Sequence, residues 1–376
     1  MTERIGVKKV LVLCPYPERV APSQRLKYEQ YFGYLRQSGY EIVVSPFQTM
    51  AMWRIVFQRG RLFSKVIGVI GGYLRRALDL FRIPFYDGVY VSLNVTPLGP
   101  PLFERAVRLL ARGMIYDIDD LVFLNRTSDV NRLASKIKGT NKPLYLMKHA
   151  DHVITCTPYL DSFARRLNPH TTDISSTIDT DVYVPKTSYA NEHRLVLGWS
   201  GTFSNAPYLR LLDSVLVELR KRIDFKLLVI GVPDFKVDGL EVEVLPWREI
   251  TEVADLSQID IGLYPLPDEG WVYGKSGLKA LQYMGLGIPT VATAIGTISR
   301  IIEDGVSGYL VRTPEEWLER LYELATAPDL RARLGKNGRA CVEERFSIRA
   351  NRDTYLRIFQ EVYGQDKRQD SLSQTS

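Results

Sequence analysis

The strongest constraint on this chain is a rhythm that runs along nearly all of it. Short apolar runs of strand length alternate with stretches whose apolar residues recur at helical spacing, and glycines, prolines and capping residues fall at the joints. The runs at 9–13, 41–45, 88–92, 114–118 and 152–156 are separated by predicted helices that include 23–38, 101–112, 144–150 and 158–167, with Ser23 placed as a cap and Gly39 as a stop. The pattern pauses at 177–193, a polar stretch with Pro185 and Asn191 that reads as a linker, and then restarts. Strands at 195–199, 226–230, 260–264, 290–294 and 309–311 alternate with helices at 208–222, 276–284, 298–303, 315–325 and 329–345. A last amphipathic helix at 348–363 carries Tyr355, Ile358, Phe359 and Val362 on one face. Apolar runs of this kind belong to parallel strands buried on both faces, so two α/β halves follow. A chain of 376 residues also exceeds what one hydrophobic core usually supports.

Composition narrows the partners. A charged fraction of 24% is that of a soluble globular protein, and no run approaches the roughly 18 apolar residues of a membrane span. The first residues lack signal-peptide architecture. Cys14, Cys156 and Cys341 are too few for a disulfide framework, and His149, His152, His170 and His193 show no ligand spacing. A reduced, cytoplasmic setting is expected, with no metal and no cofactor. The net charge of +6 sits in one place, because residues 50–86 hold seven Lys and Arg against Asp79 alone. These charges interleave with Trp53, Ile55, Phe57, Phe63 and Ile67, and the segment reads as two helices broken near Gly60 and at Gly71-Gly72. It suits an anionic membrane surface or an ordinary helix with a solvated basic face. Nucleic acid is disfavoured, since no recognised module accompanies the charge.

The chemistry concentrates in residues 260–296. Tyr264-Pro265-Leu266-Pro267 ends a strand, and a loop with Gly270, Gly274 and Gly277 leads through Lys275 and Ser276 into a helix. Glycines at a helix mouth let backbone N–H groups approach an anion, and the helix dipole favours negative charge there. Lys275 and Lys279 are one helical turn apart, so both ammonium groups can reach the same side. A diphosphate is the natural guest; a glycine loop with two solvated lysines is the plainer reading.

This segment resembles the donor-binding region of the retaining glycosyltransferases of family 4, also called group 1, which have the GT-B fold. The family signature of two glutamates eight residues apart would fall, counting back from Gly287-Ile288-Pro289, on Gly274 and Gln282, and both glutamates are absent. Gln282 can still accept a ribose hydroxyl through its amide oxygen, whereas Gly274 has no side chain to face a sugar. The family's basic pair is also missing from the loop with Gly201 and Thr202, and Lys275 and Lys279 are expected to supply that charge. The pattern as a whole looks like a branch found in bacterial surface-polysaccharide assembly. Ala21-Pro22-Ser23-Gln24-Arg25 resembles the entry motif of that branch, with Arg25 aimed at the diphosphate across the cleft and Ser23 at the acceptor. Asp117-Ile118-Asp119-Asp120 resembles its acidic motif, three carboxylates that could position acceptor hydroxyls or take a proton. The turn at Ile178-Asp179-Thr180-Asp181 reads as hinge structure, Trp271 as a ring that stacks on a sugar or base or packs, and Trp199 and Trp247 as core.

The resemblance implies two Rossmann-like doubly wound lobes with a cleft between them and a C-terminal helix returning to the first. The expected division is an acceptor domain at 1–185, a donor domain at 193–345, the helix at 346–363 and a disordered tail at 364–376. The expected activity is retaining transfer of a hexose-type sugar from a UDP- or GDP-sugar to a saccharide or polyprenol-linked saccharide. Lys275, Lys279, Asp119 and Asp120 are its catalytic candidates; Gly201, Thr202, Gly274, Ser276, Gly277, Gln282 and Arg25 its donor contacts; Ser23, Asp117 and Trp271 its acceptor contacts. The alternative is a catalytically lapsed relative acting as a nucleotide-sugar-binding scaffold in an assembly complex.

Overall fold

Apolar runs that cannot show either face to water build two parallel sheets, each covered by helices on both sides. The computed structural model describes residues 7–56, 58, 60–121, 141–190 and 194–364. These form two compact units, Met1–Ser175 with Arg352–Ser376, and Ser176–Asn351. Of the expected tail at 364–376, all but Gly364 lies outside the described residues, as does His193.

The first unit runs β1 Lys8–Cys14, α1 Pro22–Arg25, α2 Phe32–Gln37, β2 Tyr40–Pro46, α3 Met50–Val56, α4 Leu62–Arg82, β3 Gly88–Ser92, α5 Leu102–Leu110, β4 Met114–Asp117, α6 Asn141–His149, β5 His152–Thr155, α7 Pro158–Arg165 and β6 Thr171–Asp173. Its strands lie in the order β2-β1-β3-β4-β5-β6. The second unit runs β7 Leu195–Ser200, α8 Ala206–Arg210, α9 Asp213–Arg220, β8 Phe225–Ile230, β9 Val242–Leu245, α10 Glu252–Ser257, β10 Ile261–Tyr264, α11 Leu278–Gly285, β11 Thr290–Thr293, α12 Ile298–Ile301, β12 Tyr309–Val311, α13 Pro314–Thr326 and α14 Pro328–Cys341. Its sheet has the order β12-β11-β10-β7-β8-β9, with one apolar layer packed against each face. In both sheets the chain winds outward from one strand, returns past it, and winds the other way. The reversal falls between β1 and β3 in the first sheet and between β7 and β10 in the second. At such a reversal the connections leave in opposite directions and open a crevice beyond the carboxyl ends of the strands.

The last helix, α15 Ile348–Tyr363, begins in the second unit and passes into the first at Arg352. There Tyr355 stacks on Tyr31 with ring centroids 4.2 Å apart, Phe359 meets Tyr40 edge-on at 5.3 Å, and the Tyr363 hydroxyl donates to the Val89 carbonyl at 2.8 Å.

Several local expectations are corrected. Ser23 caps nothing, because Pro22 takes the first helical position and Ala21 is the N-cap; the segment breaks into α1, a 3-10 turn at Glu29–Tyr31 and α2. The helix at 208–222 is likewise split, into α8 and α9. The strands β6 and β9 and helix α10, of three, four and six residues, are too short to stand out by periodicity. Trp247 is 36% exposed rather than core, its indole N–H donating to Glu252 at 3.0 Å.

The predicted break at Gly71-Gly72 is also absent, since α4 runs unbroken through both. The two glycines sit on different faces. Gly72 lies against the Phe47 ring, where an added Cβ would come within 2.5 Å, while a Cβ at Gly71 would meet open space. Gly71→Ala should therefore stabilise the chain by about 0.5–1 kcal/mol in urea unfolding by removing a helix-interior glycine. Gly72→Ala should instead destabilise it by about 1–3 kcal/mol through overpacking.

Candidate functional site

In the second unit the strand reversal and the glycine loop fall at one place. β7 ends at Ser200, β10 ends at Tyr264, and residues 265–277 lead from β10 into α11. The Tyr283 side chain, from the buried face of α11, ties the helix to the strand end: its hydroxyl accepts the Ser200 N–H at 2.9 Å.

The helix begins two residues later than expected. Ser276 precedes it, and Gly277 is the N-cap with φ 75°. That backbone angle disfavours any side chain, and an added Cβ would lie 2.3 Å from Ile301. A glycine is thus required twice over, by conformation and by packing. No side chain caps the helix. The amides of Leu278, Lys279 and Ala280, in its first turn, have no acceptor within the helix, as at any helix start.

Lys279, also in this turn, lies between the two strand ends. Its Nζ is 5.7 Å from the centroid of the Trp199 ring in β7 and 5.9 Å from that of Tyr264 in β10. Among the described residues no carboxylate pairs with it. Burial, with the nearby Lys275 second, lowers its pKa from 10.5 to about 8. Lys275 lies over the Trp271 ring at 5.3 Å. Trp271 in turn packs at 5.4 Å against Tyr208, and its indole N–H donates to Glu269. Two ammonium groups, faced by aromatic rings, flank an uncapped helix N-terminus. That arrangement attracts a compact polyanion.

Other candidates are already engaged. The Gly201 N–H donates to the Ile230 carbonyl at 2.9 Å, and the Thr202 hydroxyl is 2.9 Å from that of Ser204. Gly274 is buried in the 3-10 turn at Gly270–Gly274, and Ser276 shares a hydrogen bond with Ser176 at 3.1 Å. Gln282 is buried, and its amide donates to the Tyr183 hydroxyl at 2.9 Å, which donates to Glu252 at 3.2 Å. The geometry therefore makes Gln282 a brace between α11 and the 178–183 turn. That turn is pinned further by Arg339, whose guanidinium donates to the Thr180 carbonyl at 2.8 Å and to those of Tyr183 and Gly285.

In the first unit the acidic motif divides. Asp117 is not a surface carboxylate: it is 2% exposed, pairs with the Lys27 ammonium at 2.9 Å and accepts the Tyr90 hydroxyl. Lys27 also donates to the Thr155 carbonyl at 3.1 Å. Burial is the largest influence and works against the Lys27 charge, but Asp117, with Cys156 and Asp119 adding to it, turns the net direction of its pKa upward. Asp119 and Asp120 lie just past β4 and are half-buried. Burial raises Asp119 to about 6, against the pull of Lys27 and with Asp120 and Asp117 adding to the rise. The Asp120 carboxylate accepts the Leu121 N–H at 2.8 Å. Ser23 and Arg25 are half-buried in α1, and the loop after β1 is held to this helix by Gln24, which accepts the Tyr16 N–H at 3.0 Å and donates to its carbonyl at 3.1 Å. Lys27 went unnoticed in the sequence, and Gln24 was named there only as part of the entry motif. The signal for Lys27 was the apolar strand ending in Asp117, which needs a buried cation.

Residues 194–327, within the second unit, match the family described as glycosyl transferases group 1. Over 88 residues the chain is 38% identical to the D-inositol 3-phosphate glycosyltransferase of Saccharomonospora viridis, which is 23% of this chain and 20% of that one. The chain spans 60% and 21% of the next curated relatives it matches. Sucrose-phosphate synthase from Thermosynechococcus elongatus superposes with a TM-score of 0.69 at 15% identity, covering 95% of this chain and 99% of that one. The Anabaena protein HepE, solved in complex with UDP-glucose, does so with a TM-score of 0.66 at 15% identity, covering 94% and 99%. The chain thus has the two-unit GT-B fold of these solved structures, and residues 194–327 of its second unit are similar to the glycosyl transferases group 1 family.

Proposed function

We propose that the protein is a nucleotide-sugar-dependent glycosyltransferase whose second unit holds the donor diphosphate at the mouth of α11. The observation that carries this reading is Lys279, a half-buried ammonium with no carboxylate partner among the described residues, at the strand reversal and in the first turn of an uncapped helix. Partly shielded from solvent and with no carboxylate beside it, such a cation is costly until an anion arrives. Placing an ammonium and helix amides where the leaving diphosphate gains charge stabilises the transition state more than the bound donor. Lys275 adds charge, and Trp271 and Tyr208 offer an aromatic wall. The HepE complex with UDP-glucose supports a UDP-sugar as donor.

The acceptor falls to the first unit, where Asp119 and Asp120 stand past the end of β4 and Asp117 serves as their buried support. The acceptor is a saccharide, carried on a polyprenol in surface-polysaccharide assembly. In the reaction the acceptor oxygen bonds to the anomeric carbon as the bond to the donor phosphate breaks. The hydroxyl proton passes to the departing phosphate, and attack from the same face retains the configuration. Asp119 orients the attacking hydroxyl.

Three outcomes test this. Lys279→Met should lower kcat/KM for the donor by about 100-fold while leaving the free chain at least as stable to unfolding as wild type, in assays scanning UDP- and GDP-sugars with and without chelator. Wild-type rates in that variant and in Lys275→Met would end the phosphate assignment, and binding without turnover on any acceptor would favour the scaffold alternative. Lys279 also makes a pH prediction. Its folded pKa lies below the ordinary 10.5, so the free chain gains stability as pH rises from about 8 towards 10.5. The diphosphate needs the protonated form, so donor affinity should fall over the same interval. Calorimetry near pH 8 should detect proton uptake on UDP binding, absent in Lys279→Met. Finally, kcat/KM for the acceptor should rise with ionisation of Asp119 through about pH 6, and Asp119→Asn should abolish that acid limb.

A further inference from the structure

The side of α4 that faces away from its unit is apolar. Phe63, Ile67, Ile70, Leu74, Leu78 and Phe81 follow one another at steps of three and four residues and form a single stripe, with Phe63 79% and Phe81 77% exposed. At 1.5 Å per residue the stripe is about 27 Å long. The opposite face is the one that packs: Gly72 on Phe47, and Arg76 with Asp79, an ion pair of 2.9 Å with both side chains buried. An amphipathic helix normally turns its apolar face to the core, but the buried residues of this one are Gly72, Arg76 and Asp79, and its apolar stripe turns outward. Next to it, α5 exposes Leu102 and Leu109, the latter to 86%.

Charge says what covers this face. From Met50 to Arg112 the chain has ten Lys and Arg against Asp79, Asp87 and Glu104. Asp79 and Glu104 are buried against Arg76 and Lys142, at 2.9 and 3.5 Å. Arg61 and Arg82 are exposed at the two ends of the stripe, Arg82 also reaching the Asp79 carboxylate at 3.4 Å. A second copy docked on the same face would bring like charges together, whereas an anionic surface would neutralise them. Among the described residues no helix is long and apolar enough to cross a membrane. A long apolar stripe rimmed by cations, on a helix too polar to span, has the makings of an element that lies in a membrane interface.

We infer that the outer stripe of α4, extended by Leu102 and Leu109 of α5, seats in the headgroup region of an anionic lipid monolayer and holds the first unit at the membrane surface. The inference stands apart from the donor assignment, since it concerns another unit and another surface. It gives a lipid-linked acceptor a reason to meet this protein at the bilayer.

The test is flotation of the full chain with vesicles of phosphatidylcholine alone and of phosphatidylcholine with phosphatidylglycerol. Wild type should float with the anionic vesicles and release in high salt. Phe63→Glu with Phe81→Glu, both at exposed positions, should cut partitioning at least tenfold without lowering thermal stability. Arg61→Ala and Arg82→Ala should each weaken it by about fivefold. Equal flotation of wild type and the double variant would overturn the assignment. So would a concentration-dependent dimer in analytical ultracentrifugation that the double variant abolishes, with no vesicle binding by wild type. Because UDP binding is read separately by calorimetry, loss of flotation with intact UDP binding would be a membrane effect and not a failure of the donor site.

Discussion

The reversal of strand order between β7 and β10 is the constraint on which the candidate site of the second unit depends. A parallel sheet must send every connection over its faces, and where the winding changes direction no connection covers the carboxyl edge. The edge opened in this way is lined by Trp199 and Tyr264 from the two strand ends and by the first turn of α11. What would be a weak point in a purely structural sheet becomes a place where a cation can be kept half-dry and unpaired. Gly277 makes this geometry attainable, because only a glycine both takes its backbone angle and leaves room for Ile301.

The two units use buried charge in opposite ways. Lys27 in the first unit is fully committed: it pairs with Asp117 and donates to the Thr155 carbonyl, so it fixes the strand ends and leaves Asp119 and Asp120 above them. Lys279 in the second unit has aromatic faces in place of a carboxylate, and its lowered pKa reports the missing counter-charge. A satisfied buried pair specifies a structure, and an unsatisfied one is an invitation to a ligand. The absence of both family glutamates is consistent with this division. Gln282, at the position of the second, donates its amide N–H to Tyr183, and the proposed anion-binding role rests on lysines that follow the first.

Much of this was legible in the sequence, and the exceptions have physical causes. Strands such as 88–92 and the last helix at 348–363 were readable to the residue, because each is bounded by turn chemistry and has an unambiguous apolar period. β6 and β9 were not, since edge strands of three or four partly exposed residues carry no period to read. The pair Lys275 and Lys279 was visible through spacing alone, but its surroundings were not, because Trp199 and Tyr264 come from distant strands. The same limit applied to the basic segment: interleaved charge and apolar residues suggested an interface, and only the packing of Gly72 against Phe47 fixes which face of α4 points outward. Asp117 shows the converse, a residue whose motif suggested chemistry and whose burial assigns it to support.

The most direct test of the central claim is a crystal structure of the protein grown with UDP, and a second with GDP. The account predicts that the diphosphate of one of them lies at the mouth of α11, within hydrogen-bond reach of the Lys279 ammonium and the first-turn amides of Leu278 and Lys279. A nucleotide bound elsewhere with this mouth vacant, or a mouth closed by side chains in both crystals, would contradict it.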